Sequence, residues 1–275
     1  VPLSVHFEVL REPKYMPEIG PEAKGQVRTM AVAGLQSFDL QLELSGEMTY
    51  LTLFTVGMTR YAAEDYDGAI ACFGHALSQA TERVLALDQS VVYFYQGTAY
   101  YHKSEYDLAI QDYDLTLRLN PNLTEAYHNR GLVYVLKGDY DHAIEDYDQA
   151  VRLNPDYAEA YVNRGTAYAD KGEYDRAIAD FDRAIELRPD YAEAYNNRGT
   201  AYHDKGDHDR AIADFDRAIQ LQPDLAEAYY NRGLAYKQRG EEEKAIADFE
   251  KFLELSNDPY WRRQAERQLQ ELGAK

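Results

Sequence analysis

Two histidines and three aspartates crowd one short stretch: His203, Asp204, Asp207, His208 and Asp209. Imidazole and carboxylate are metal ligands, but these five straddle a helix–turn–helix break at the offsets of ordinary repeat surface. The spacing predicts neither a metal nor a cofactor. A longer-ranged pattern is more informative. Asn129, Asn163, Asn197 and Asn231 recur at intervals of 34 residues. A side-chain amide carries both donors and an acceptor. A column of amides can therefore bond the repeating N–H and C=O of an extended chain whatever its sequence. Glu125, Glu159, Glu193 and Glu227 precede those asparagines by four residues each, near predicted helix N-termini where a carboxylate suits the dipole. Catalytic motifs are absent. No glycine-rich phosphate loop follows a strand, no His-Glu-x-x-His occurs, and Cys72 is the single cysteine. The chain reads as no enzyme.

Two more columns share the interval. Arg130, Arg164, Arg198 and Arg232 form one, and Asp146, Asp180, Asp214 and Asp248 the other. They partly track each other: Gln96 goes with Asp112, and Val56 with Cys72. This predicts an Arg–Asp contact inside each repeat, structural rather than ligand-binding, because buried pairs give register more reliably than stability.

The elements that must position these columns follow from the same period. Gly97, Gly131, Gly165, Gly199 and Gly233 stand 34 residues apart, and Gly57 is displaced by six residues falling within 81–90. Within one repeat, apolar residues recur at helical spacing over 159–170 and again over 174–187. Lys171-Gly172 supplies the break between them, and Pro189 ends the second helix because its ring cannot continue the ladder. Gly165 and Ala177 are small enough for two antiparallel helices to approach closely. One such hairpin exposes an apolar face and is stable only when stacked on others.

Tyrosines at 93, 127, 161, 195 and 229 come four residues before the glycines, and tyrosines at 100, 134, 168, 202 and 236 three residues after them. Alanine at 69, 109, 143, 177, 211 and 245, an aromatic four residues later, and proline at 121, 155, 189 and 223 complete the pattern. It resembles the tetratricopeptide repeat family over about residues 50–259, in units at about 50–83, 90–123, 124–157, 158–191, 192–225 and 226–259. The resemblance implies an all-α fold, a right-handed α–α superhelix of helix–turn–helix units with first helices lining a concave groove. It places in that groove the Asn and Glu columns, with His128, Asp170, His203, Asp204 and Tyr230. The family's carboxylate clamp for chaperone C-terminal tails needs Lys where this chain carries Glu125, Glu159, Glu193 and Glu227, and Arg where it carries the asparagines, so that mode is absent.

The ends differ. Residues 260–275 are expected to cap the array, with Trp261, Ala265, Leu269 and Leu272 on one helical face. Residues 1–46 fit no repeat. An alternating stretch over 5–9 reads as a strand and 23–44 as a helix, either the edge of an upstream domain or an ordered leader on the first repeat.

Acidic residues outnumber basic ones 48 to 29, a net charge of −19. Such a surface repels nucleic acid and anionic lipid and favours a protein or peptide partner that is basic or neutral and extended. No apolar run is long enough to span a membrane. The single cysteine and the lack of a leader favour the cytoplasm, with the chain read as a fragment or processed form. The leading expectation is an interaction scaffold with an acidic, Asn-lined groove. The alternatives are a regulatory or substrate-recruiting arm of a larger enzyme or secretion machine, and a self-assembly module whose near-identical repeats stack between molecules.

Overall fold

The computed structural model describes residues 50–79 and 86–274. The strand and helix expected within 1–46 lie outside them. Among the described residues the fold is all-α. Its helices are α1 (Tyr50–Ala62), α2 (Tyr66–Ser78), α3 (Ala86–His102), α4 (Tyr106–Leu119), α5 (Thr124–Leu136), α6 (Tyr140–Leu153), α7 (Ala158–Asp170), α8 (Tyr174–Leu187), α9 (Ala192–Asp204), α10 (His208–Leu221), α11 (Ala226–Gln238), α12 (Glu242–Leu255) and α13 (Pro259–Glu271).

The chain divides into two compact units, one reaching Lys137 and the other starting at Gly138. In the first, α1 pairs with α2 and α3 with α4, and α5 packs on α4. In the second, α7 pairs with α8, α9 with α10 and α11 with α12, while each second helix also packs on the next first helix. Within each unit, consecutive hairpins stack as in an α–α superhelix.

The hairpin geometry comes from few residues. Asp139 and Asp207 cap α6 and α10 by accepting from the backbone N–H of His142 and Arg210. Gly172 and Gly206, just past α7 and α9, take φ of +77° and +83°, where a Cβ is strained. At Gly199 an added Cβ would lie 2.8 Å from the Phe215 ring and 3.1 Å from the Ala211 carbonyl oxygen. The hairpin partner thus approaches as closely as the small residues suggested. Phe181, Phe215 and Phe249 are fully buried, one per hairpin.

One element departs from the regular plan. Helix α3 has 17 residues where the later first helices have 13. Later second helices are followed by a proline, but Thr81 stands in that place before α3, so the first helix extends toward its N-terminus at Ala86.

Candidate functional site

Arg164 sits on α7 and reaches two aspartates. Its Nε and Nη2 donate to Oδ2 and Oδ1 of Asp180 on α8 at 2.8 and 2.6 Å. Its Nη1 donates to Asp148 of the preceding hairpin at 2.6 Å. Arg198 forks onto Asp214 and Arg232 onto Asp248 in the same way, each with a further aspartate behind it, Asp182 and Asp216. In the first unit Arg130 donates to Asp114. Asp146 belongs to the second unit. The inter-hairpin arm was missed in the sequence, although Asp114, Asp148, Asp182 and Asp216 carry the same interval. Burial raises the carboxyl pKa of Asp180, Asp214 and Asp248, and the arginines oppose that rise. These charges hold hairpins together and face each other, so they offer little to a ligand.

The asparagine column is buried: Asn129, Asn163, Asn197 and Asn231 expose 2% of their surface or less. Asn231 Nδ2 donates across the seam to Asn196 Oδ1 at 3.1 Å and to Thr200 Oγ1 at 3.3 Å on α9. Asn196 Nδ2 in turn donates to Asn197 Oδ1 at 3.3 Å. The expectation that each amide offers donors and an acceptor is corrected at Asn231, whose donor side is already engaged by the stack. The acceptor side differs. Among the described residues, Oδ1 of Asn129 and of Asn231 is buried without a hydrogen-bond partner.

Other expected groove residues fall into three groups. His128 is fully buried, and Tyr230 is 5% exposed between Phe249, Phe252 and Trp261 with ring centroids at 5.6, 5.2 and 5.6 Å. Both belong to the interior in this structure, because their position on the first helix meets a neighbouring helix. Glu159 is buried and paired with Arg188, while Glu125, Glu193 and Glu227 are partly exposed. Asp170 and Asp204 are exposed at the ends of α7 and α9.

The histidine-rich stretch resolves into separate contacts. Asp207 pairs with Arg210 and Asp209 with Arg239. The Nδ1 atoms of His203 and His208 lie 3.2 Å apart. Burial and the second ring hold the His203 pKa below its usual value. Cys72 is buried, and burial raises its thiol pKa. No helix among the described residues is long and apolar enough to cross a membrane.

Comparison with known proteins agrees with this geometry. A family profile described as TPR repeat matches residues 97–138, 131–172 and 165–206, and one described as tetratricopeptide repeat matches 199–270. The crystal structure of MamA is 35% identical, covering 57% of this chain and 92% of that one, with a TM-score of 0.54. YrrB, described as a TPR protein with an unusual peptide-binding site, is 25% identical over 71% of this chain and 97% of its own, at 0.55. A tetratricopeptide repeat protein from Parabacteroides merdae ATCC 43184 is 22% identical over 90% and 93%, at 0.61, a likeness of fold alone. Among curated proteins nothing matches.

Proposed function

The chain belongs to the tetratricopeptide repeat family, a protein-interaction scaffold, and from that premise we propose that the first helices of its second unit bind an extended peptide, basic or neutral, along Asn163, Asn197 and Asn231. One observation carries the proposal. In the second unit Asn231 buries a side-chain carbonyl oxygen that no described residue satisfies. An unmet buried acceptor costs about 1–3 kcal/mol, and a peptide whose backbone N–H reached it as the seam opened would relieve it. Asn197 on α9 differs, since its Oδ1 already accepts from Asn196. The glutamates beside the column add a negative field that excludes acidic ligands. The described binding site of YrrB supports peptide binding as a use of this scaffold.

A test is to select binders from a random-sequence peptide library on the intact protein, then measure them against the Asn163→Ala/Asn197→Ala variant. Weaker binding with an unchanged helical melt supports the reading. Unchanged affinity sinks it.

A further inference from the structure

Four columns of the repeat pattern meet where one hairpin stacks on the next, and in the first unit two of them change. The second unit shows the complete arrangement. Arg164 forks onto Asp180 of its own hairpin, reaches back to Asp148 of the hairpin before, and lies over the Tyr161 ring at 5.4 Å. Arg198 and Arg232 repeat this over Tyr195 and Tyr229. Counted back two repeats, Arg164 becomes Gln96, Asp180 becomes Asp112 and Tyr161 becomes Tyr93; across the six-residue displacement, Asp148 becomes Gly74. The arginine and the outer aspartate are gone, while the inner aspartate and the tyrosine stay.

The retained carboxylate has lost its partner without losing its burial. Asp112 is 8% exposed, and its Oδ2 is buried with no hydrogen-bond partner among the described residues. Burial alone pushes its pKa up to about 7, whereas at Asp180, Asp214 and Asp248 an arginine opposes the rise. A buried carboxylate calls for a cation or for donors. The first repeat gives the contrast: Val56 takes the arginine's place and Cys72 the aspartate's, so no charge is stranded.

The two changes also remove bulk. Gln96 is shorter than arginine, and its Nε2 donates to the Ile70 carbonyl oxygen of α2 at 3.3 Å. Beyond its own helix, a Cβ added at Gly74 would have only that Nε2 within 4 Å among the described residues, at 3.8 Å. Gly74 is exposed and Tyr93 half-buried, so the place of the outer carboxylate faces solvent.

We propose that this seam of the first unit binds the guanidinium of an arginine side chain carried by a partner polypeptide, which enters past Gly74 and displaces the Gln96 amide. The guest takes the place that Arg164, Arg198 and Arg232 fill from within the chain, two N–H groups on Asp112 and its face against Tyr93. Lysine fits less well, because an ammonium cannot fork onto both oxygens. The net charge of −19 favours the approach of a basic partner. The site is separate from the asparagine column of the second unit and does not depend on it.

The test titrates the whole chain calorimetrically with Nα-acetylarginine amide, its lysine analogue and free arginine. The arginine amide should bind, with the lysine amide about tenfold weaker. Asp112→Asn keeps the shape, removes the charge and should weaken the arginine amide about tenfold. Gln96→Arg supplies the guanidinium from within, so it should abolish binding and raise the melting temperature. Asp148→Asn removes a carboxylate from the other unit and should leave the affinity unchanged. The assignment is overturned if the arginine amide does not bind, if the lysine amide binds equally, or if Gln96→Arg still takes the probe. An equal loss in Asp148→Asn would reduce the effect to general attraction and overturn it too. Free arginine binding more tightly than the amide would overturn the choice of a polypeptide as the source.

Discussion

Arg164 grips both carboxylate oxygens of Asp180 within its own hairpin while its third nitrogen holds Asp148 of the hairpin before it. One side chain thus closes a repeat and fastens it to its neighbour. The two contacts differ in environment. The Asp180 side chain is 9% exposed and Asp148 is 48% exposed. Removing the buried partner strands a guanidinium, so Asp180→Ala should cost about 3 kcal/mol. Asp148→Ala should cost less than about 1 kcal/mol. Urea unfolding of both variants measures the difference, and equal losses would contradict this division of labour.

The same column is incomplete in the second repeat, and that predicts a pH dependence. Gln96 takes the arginine's place and donates to the Ile70 carbonyl instead. Asp112 is left buried with Oδ2 unpaired, and burial pushes its pKa up to about 7. A carboxyl whose folded pKa lies above its unfolded value stabilises the fold in its protonated form. That contribution is complete below about pH 4 and disappears as pH rises through about 7, a loss of up to about 4 kcal/mol. Asp112→Asn should therefore flatten the stability profile between pH 4 and 7, measured by denaturant midpoints. A profile in which the wild type gains stability relative to Asp112→Asn across that window would refute it.

Among the described residues, positive φ away from glycine occurs only in the first two repeats. Glu64 and Ser104 adopt φ of 60° at the turn where later repeats place glycine. An L-residue there costs about 1–2 kcal/mol, part of which glycine returns in unfolded-state entropy. Ser104→Gly should stabilise the protein by about 0.5–1 kcal/mol, visible as a higher melting temperature. The reverse change, Gly206→Ser at φ +83°, should lower it.

How far the residues foretell the structure depends on how many neighbours decide a side chain's place. The helices and their breaks depend on local chemistry, so the positions of Pro189, Gly172 and Gly165 were enough to find them. The Arg164–Asp180 fork was legible because two columns share one interval. The arm to Asp148 was not, since nothing within a single repeat says which residues of the previous hairpin come into reach. The burial of His128 and Tyr230 was not legible for the same reason. A first helix in a stack meets its own partner and both neighbours, and two adjacent positions on it differ in what covers them. Asn231 illustrates the finer limit: the repeat interval picks out its amide, but only coordinates show the N–H side engaged by Asn196 and Thr200.

The end of the array yields a last prediction. Trp261 and Leu269 of α13, with Leu272 just past its end, pack against Tyr230, Phe249 and Phe252, and Ala265 is fully buried among them. Asp258 caps α13 through the N–H of Tyr260 and Trp261 at 2.8 and 3.0 Å, and Lys237 fastens its far end to Gln268 at 2.7 Å. The opposite face carries exposed Arg263, Glu266 and Arg267. A further hairpin would have to desolvate those charges to stack there, and none of them is placed to be paired by the repeat pattern. Loosening α13 with Trp261→Ala/Leu269→Ala should uncover the aromatic surface of the last hairpin. That surface is complementary to a first helix, and a contact between unlike faces does not close on itself. Light scattering should then show a molar mass that climbs with concentration in the variant while the unaltered chain holds a constant value. A variant whose mass stays constant would mean that the covered aromatic face does not drive stacking between molecules.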